Sequence, residues 1–330
     1  MRNFTLLIVL WVLTNPIMAQ KNFAHPIDYN NYIVEEMNMI VMKNLEYISQ
    51  SVHSDNFEAI EAKRKNVIRQ IKGAHKRVNA QKAYDGGEQL KIESLAVLQT
   101  YQKVFEMELS EANMLKQTSQ ESYEAMERYF KAQDKAERNL GLASERFQRA
   151  SMRYAKKHKI DNLKAEAEKD GMVENELKRI SDVNEYTRKL FLAYFKVSKQ
   201  NGIFFDAVNA QNKAGLEGKR KRVAMTASST LDKLNTMEGF RGDTDFLEKT
   251  KALVLFYKNI AENGYRSIVK VVKKQQSDLT KEDVDGYNEA IEKSNIESPK
   301  LLNAFNEAQK RLLQKNIPKH NVTNKRVKRM

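Results

Sequence analysis

Apolar residues recur every three or four positions along most of the chain, with polar residues filling the intervals. Ile33, Met37, Ile40, Val41, Leu45 and Ile48 mark one stripe, and Leu95, Leu98, Tyr101, Val104 and Phe105 mark another. That period places apolar side chains on one face of an α-helix. No stretch sustains the two-residue alternation of a half-buried strand, so essentially no sheet is expected. Proline spacing agrees, because none occurs between Pro26 and Pro299, an interval that long helices with proline-free turns tolerate.

Turn residues divide the stripes. In the first half the pattern predicts helices over about 28–52, 56–82 and 88–118, with a fourth restarting at Thr118-Ser-Gln-Glu121 and reaching about 158. In the second half it predicts about 173–212, 214–238, 244–275 and 280–316. Thr280-Lys-Glu-Asp283 has the form of a capping box with Asp for Glu, and Asp243 has the form of an N-cap. Glu297-Ser-Pro299 is expected to kink or interrupt the last helix, because proline disfavours a helical residue before it. Tyr84-Asp-Gly86 and Phe240-Arg-Gly242 read as helix stops with a left-handed glycine.

The two halves repeat one another. Residues 57–106 align without a gap to residues 213–262, 156 positions later. Ala59-Ile-Glu-Ala-Lys-Arg-Lys65 meets Gly215-Leu-Glu-Gly-Lys-Arg-Lys221, and Tyr101 meets Tyr257. After a two-residue insertion, Tyr129, Phe147 and Arg153 meet Tyr287, Phe305 and Arg311. The expected fold is therefore all-α: two tandem antiparallel four-helix bundles from an internal duplication, offset by about 156–158 residues. The expected units are repeat 1 over 20–158, a charged linker or bridging helix over 159–172, and repeat 2 over 173–317. Residues 318–330 form a basic tail with five Lys or Arg and almost no core material, expected to be disordered.

The first nineteen residues have the layout of a secretory signal: Arg2, an apolar run from Phe4 to Leu13, a break at Asn15-Pro16, and a cut expected after Ala19. Removing Arg2 with it leaves a formal net charge one unit below +14. The chain has no cysteine, so neither disulfides nor a lipidated cysteine at the cut is expected. No later segment approaches eighteen consecutive apolar residues, so no transmembrane span is expected. The expected location is outside the cytoplasm: periplasmic, outer-surface or secreted.

Site chemistry is sparse. His25, His53, His75, His158 and His320 stand singly, and no Glu-x-x-His tetrapeptide of a di-iron bundle occurs. There is no glycine-rich phosphate loop and no Gly-x-Ser-x-Gly. No catalytic residue, metal or cofactor is therefore expected, nor an enzyme. The candidate polyanion-binding residues are Lys63, Arg64 and Lys65, their counterparts Lys219, Arg220 and Lys221, and Lys325, Arg326, Lys328 and Arg329 of the tail. Three consecutive helical residues spread over about 200°, so neither triplet forms one flat stripe. Specific nucleic-acid recognition is not expected, because no recognition motif appears.

The motif order carries a resemblance. A Tyr-rich first helix (Tyr29-Asn-Asn-Tyr-Ile-Val-Glu35) is followed by Tyr/Phe-x-Gly and by Thr-Lys-Glu-Asp283. The units close on Tyr-Ala-Lys-Lys-His158 and Phe-Asn-Glu-Ala-Gln309. Across both repeats this resembles a family of exported, helical bacterial surface proteins first known from spirochaetes. The resemblance implies envelope or surface location and no known enzymatic activity, and it transfers no catalytic residue. The chain departs from lipoprotein-type relatives in lacking an anchoring cysteine. The expected function is a non-catalytic binding or structural module contacting anionic envelope components or an unidentified protein partner. The alternative is a carrier holding an apolar small ligand between helices, with Met37, Met39 and Met42 as its suggestive set.

Overall fold

A computed structural model describes residues 21–54, 56–160 and 163–320, with the backbone alone for 163–175. The described residues are all-helical, with one isolated bridge between Phe240 and Asp243 and no strand. In the first half, α1 (Pro26–His53), α2 (Phe57–Ala80), α3 (Glu88–Lys103) and α4 (Leu109–Thr118) lead to α5 (Tyr123–Lys157). The second half holds α6 (Leu163–Asn209), α7 (Leu216–Asn235), α8 (Asp245–Glu262), α9 (Gly264–Lys273) and α10 (Lys281–Asn316). No described helix is long and apolar enough to cross a membrane.

Local chemistry sets most boundaries. Asn56 and Ser122 accept the Ala59 and Ala125 amides, each at 3.0 Å, and so cap α2 and α5. Thr280 and Asp283 form the expected capping box, with reciprocal bonds of 3.2 and 3.1 Å. Asp243 lies one residue before the N-cap Thr244 and accepts the Asp245 amide at 3.2 Å. Pro299 does not interrupt α10. The carbonyl it deprives of a donor is that of Asn295, a residue on an exposed face of the helix. Gly86 and Gly242 do adopt positive φ, 63° and 85°. They lie well past the ends of α2 and α7, however, in the turns that lead into α3 and α8.

The third helix of each half contains a break that the pattern did not predict. Between α3 and α4 the ladder widens into a π turn at Val104–Glu108. Between α8 and α9 it breaks at Asn263, where Gly264 lets α9 approach α10: a Cβ there would stand 3.2 Å from that of Ala290.

Two apolar clusters form the interior. One joins α1, α2, α3 and α5 around Tyr29, Ile33, Ile71, Leu98 and Phe105. The other centres on Phe305, whose ring lies 4.8 Å from Tyr194 and 5.0 Å from Phe246. Leu45 of α1 and Met126 of α5 belong to this second cluster, so the halves share apolar packing. Arg188 of α6 also binds Asp134 and Glu137 of α5. Beyond α10 the chain turns back on α1: His53 Nε2 meets the Ile317 carbonyl at 2.8 Å, and the His320 amide donates to Ser49 Oγ at 3.0 Å.

Candidate functional site

The basic triplets do not act as units. Arg64 points inward, donating from Nε and Nη2 to Glu61 at 2.8 and 2.6 Å and from Nη1 to the Phe105 carbonyl in the π turn. Arg220 does the same in the second half, bonding Glu217 at 2.8 and 2.7 Å and the Ala261 carbonyl at 2.6 Å. Those carbonyls sit where the helix ladder breaks, so each guanidinium supplies a donor that the backbone has lost. Hydrogen bonding by the arginine holds Glu61 and Glu217 below the usual carboxylate range. Arg64 and Arg220 are thus taken up by structural contacts and leave the polyanion-binding set. Lys63 pairs with Glu46 at 3.1 Å, Lys219 is half-buried, and Lys65 and Lys221 are exposed. Lys325, Arg326, Lys328 and Arg329 lie outside the described residues.

A different grouping of cations emerges between α6 and α7. These helices, joined by residues 210–215, leave a groove of about 800 Å³ that Tyr123 of α5 also borders. Lys189 and Lys196 come from α6, and Lys221, Arg222 and Lys233 from α7. No carboxylate lines it. Lys189 pairs with Glu185 at 2.6 Å beyond the rim, while the other four form no ion pair with a described residue. Lys196 Nζ stands 5.7 Å from the Tyr123 ring centroid, within reach of its π face. The floor is apolar: Leu192, Ala193, Met225, Leu234 and Met237. Thr226, Ser229 and Thr230 add hydroxyls. Only Lys221 of the sequence-derived candidates lies here.

The helical period explains the assembly. Residues 189, 192, 193 and 196 form one stripe of α6, and residues 218, 221, 222, 225, 229 and 233 form one stripe of α7. The methionine set does not gather: Met37 is in the core, whereas Met39 and Met42 are exposed by 43% and 47%. Among the described residues, no group of three or more His, Cys, Asp or Glu is placed to hold a metal ion.

A second polar cluster surrounds Asp283. Lys270 stands 2.6 Å away, Lys274 is also in contact, and the Thr280 amide donates at 3.1 Å. These hydrogen bonds, that of Lys270 foremost, hold its carboxyl well below the usual carboxylate range. Each carboxylate oxygen faces a lysine, Lys270 or Lys274, which makes Asp283 a clamp between the end of α9 and the start of α10. Elsewhere burial raises the phenols of Tyr29, Tyr101 and Tyr194 to about 12.

No family model, no curated protein and no solved structure matches the chain.

Proposed function

We propose that the protein is an exported, non-catalytic helical module of a bacterial cell envelope that binds an anionic envelope component through its basic surface. The observation that carries this reading is the α6/α7 groove, which five basic side chains line and no carboxylate enters. The amino-terminal signal pattern and the resemblance to exported surface proteins support the location. The apolar groove floor favours a second reading, a carrier of an apolar small ligand.

The scaffold is, in this proposal, a tandem pair of four-helix bundles, with α3–α4 and α8–α9 each counting as one broken helix. Three correspondences support the duplication. Glu61, Arg64 and Phe105 map onto Glu217, Arg220 and Ala261 at one offset of 156 residues, with the same bonds. Ser94 and Thr250, also 156 apart, each donate to the carbonyl four residues earlier, at 2.7 Å. Buried Asn30, Ile33, Met37 and Ile40 of α1 match buried Thr187, Leu190, Tyr194 and Val197 of α6, 157 residues on.

Co-sedimentation with anionic and zwitterionic liposomes over a salt series tests the envelope reading. Residues 20–330 are compared with a version ending at His320, which keeps the contacts of the carboxy-terminal turn. The expected result is binding to anionic vesicles alone, weakening as salt rises. Absence of binding by both versions at low salt overturns the reading.

A further inference from the structure

We propose that the α6/α7 groove is a binding site for one single-chain anionic amphiphile, with the acyl chain along the apolar floor and the anionic head at Lys221 and Arg222. This deepens the envelope reading by naming the chemistry of the component, and it rests on that reading only for where the ligand is met.

The charge pattern points to an anion. At other helix contacts in this chain a cation meets a carboxylate: Lys63 with Glu46 at 3.1 Å, Lys72 with Glu106 at 2.7 Å, Arg311 with Asp245 at 2.7 Å. Lining the groove, Lys196, Lys221, Arg222 and Lys233 form no ion pair with a described residue, although Glu217 acts on Lys221 from the same helix. Cations along one groove raise its positive potential, which a bound anion offsets. The same charge excludes the chain's own basic tail and the groove of a second copy as occupants.

The first half shows how the position looks when it is closed. There Glu36 of α1 is 6% exposed and gripped by Arg77 of α2 through two bonds of 2.6 Å. At the offsets of 157 and 156 that align these helices, Glu36 corresponds to Ala193 and Arg77 to Lys233, and both line the groove. A small apolar residue thus stands where the carboxylate would be. The space opens, and the cation opposite is left without its partner.

Shape and floor then favour a chain-bearing anion over a bare one. Lys221 and Lys233 lie twelve residues apart on α7, about 18 Å along the axis. The groove's 800 Å³ falls within the range of small-molecule sites. Between the cations lie Leu192, Ala193, Leu234 and Met225, a residue 72% exposed whose flexible thioether adapts readily to an apolar guest. The head is placed at Lys221 and Arg222 because, at the other end, Lys189 is already paired with Glu185 at 2.6 Å.

The test is calorimetric titration of the exported chain with dodecyl phosphate below its micelle concentration. Dodecyl maltoside serves as the neutral chain and inorganic phosphate as the bare anion. The expected result is one dodecyl phosphate per chain, with both comparators at least tenfold weaker. The double variant Lys221→Gln/Arg222→Gln, and separately Met225→Asp, change exposed residues and should each weaken binding about tenfold or more, whereas Lys65→Gln should not. Equal binding of dodecyl maltoside or of inorganic phosphate overturns the proposal, as does an unaffected Met225→Asp variant or no saturable binding. The version ending at His320 separates the two readings. Loss of vesicle binding with dodecyl phosphate binding intact places envelope contact in the tail and leaves the groove standing. Vesicle binding by a chain that ignores dodecyl phosphate sinks the groove alone.

Discussion

Arg220 gives the sharpest test of how a broken helix is tolerated inside this fold. Its Nη1 donates to the Ala261 carbonyl at 2.6 Å, and its side chain is 6% exposed. Replacing it with alanine strands that carbonyl in the interior, where an unsatisfied polar group costs about 1–3 kcal/mol. The bonds to Glu217 add less, because that carboxylate is 36% exposed and solvent screens it; an exposed pair contributes about 0–1 kcal/mol. The expected loss is therefore about 1–4 kcal/mol, read from urea unfolding followed by far-ultraviolet circular dichroism. Arg220→Lys keeps the charge and one donor but not the fork, so it should recover about half the loss. Amide exchange should accelerate most at the α8–α9 junction, since that is where the carbonyl loses its donor. A loss below about 0.5 kcal/mol, or exchange that rises evenly over the second half, refutes the argument that the guanidinium replaces a backbone donor.

Three further outcomes follow from the same geometry. Asp283 has a depressed folded-state pKa, so the stability it contributes is complete above about pH 4 and is lost as pH falls; Asp283→Asn should flatten the acid limb of the stability curve, and an unchanged limb counts against the clamp. Tyr29, Tyr101 and Tyr194 are raised to about 12, so their contribution is present below about pH 10 and is lost as pH climbs towards 12; phenolate absorbance should show late-titrating phenols that merge with the early group only on unfolding. Arg188→Ala removes the bridge from α6 to Asp134 and Glu137 on α5 and should lower stability by about 1–3 kcal/mol; calorimetry showing no shift in the unfolding transition refutes its role in joining the halves.

The helices were legible because their signals are local. The apolar period, the proline-free interval and the caps at Asn56 and Thr280 act within a few residues of the feature they set. The breaks at Val104–Glu108 and Asn263 were not, because what makes them tolerable comes from far along the chain: Arg64 and Arg220 lie 41 residues from the carbonyls they serve. One signal was available in the sequence. Glu-x-x-Arg recurs at Glu61–Arg64 and Glu217–Arg220, and such a pair at helical spacing in both halves marks an oriented guanidinium rather than a free one. Reading the basic triplets as runs hid this, since adjacent helical residues face different ways. The groove was hidden for the converse reason. Its cations are spread over residues 189–233 and converge only when α6 packs on α7.

On the proposed duplication, each half shows the other with one part exchanged, which separates what holds the fold from what the fold presents. The guanidinium that serves a broken helix is present in both halves, as expected of a structural need. The fork between buried Glu36 and half-buried Arg77 is present in one, and Ala193 and Lys233, which stand at the corresponding positions, line the groove. The reasoning is reversible, and that makes it testable. Ala193→Glu combined with Lys233→Arg should rebuild the fork between α6 and α7, fill the space over the floor and supply the missing negative charge. A half-buried ion pair returns little net stability, because desolvation and solvent screening offset its attraction, so unfolding free energy should move by no more than about 1 kcal/mol. Dodecyl phosphate affinity should nevertheless fall at least tenfold, since the variant gains a carboxylate where the ligand's chain and charge must enter. Affinity unchanged in a folded double variant would show that the exchanged fork does not make the site, and the groove would then be a by-product of helix packing.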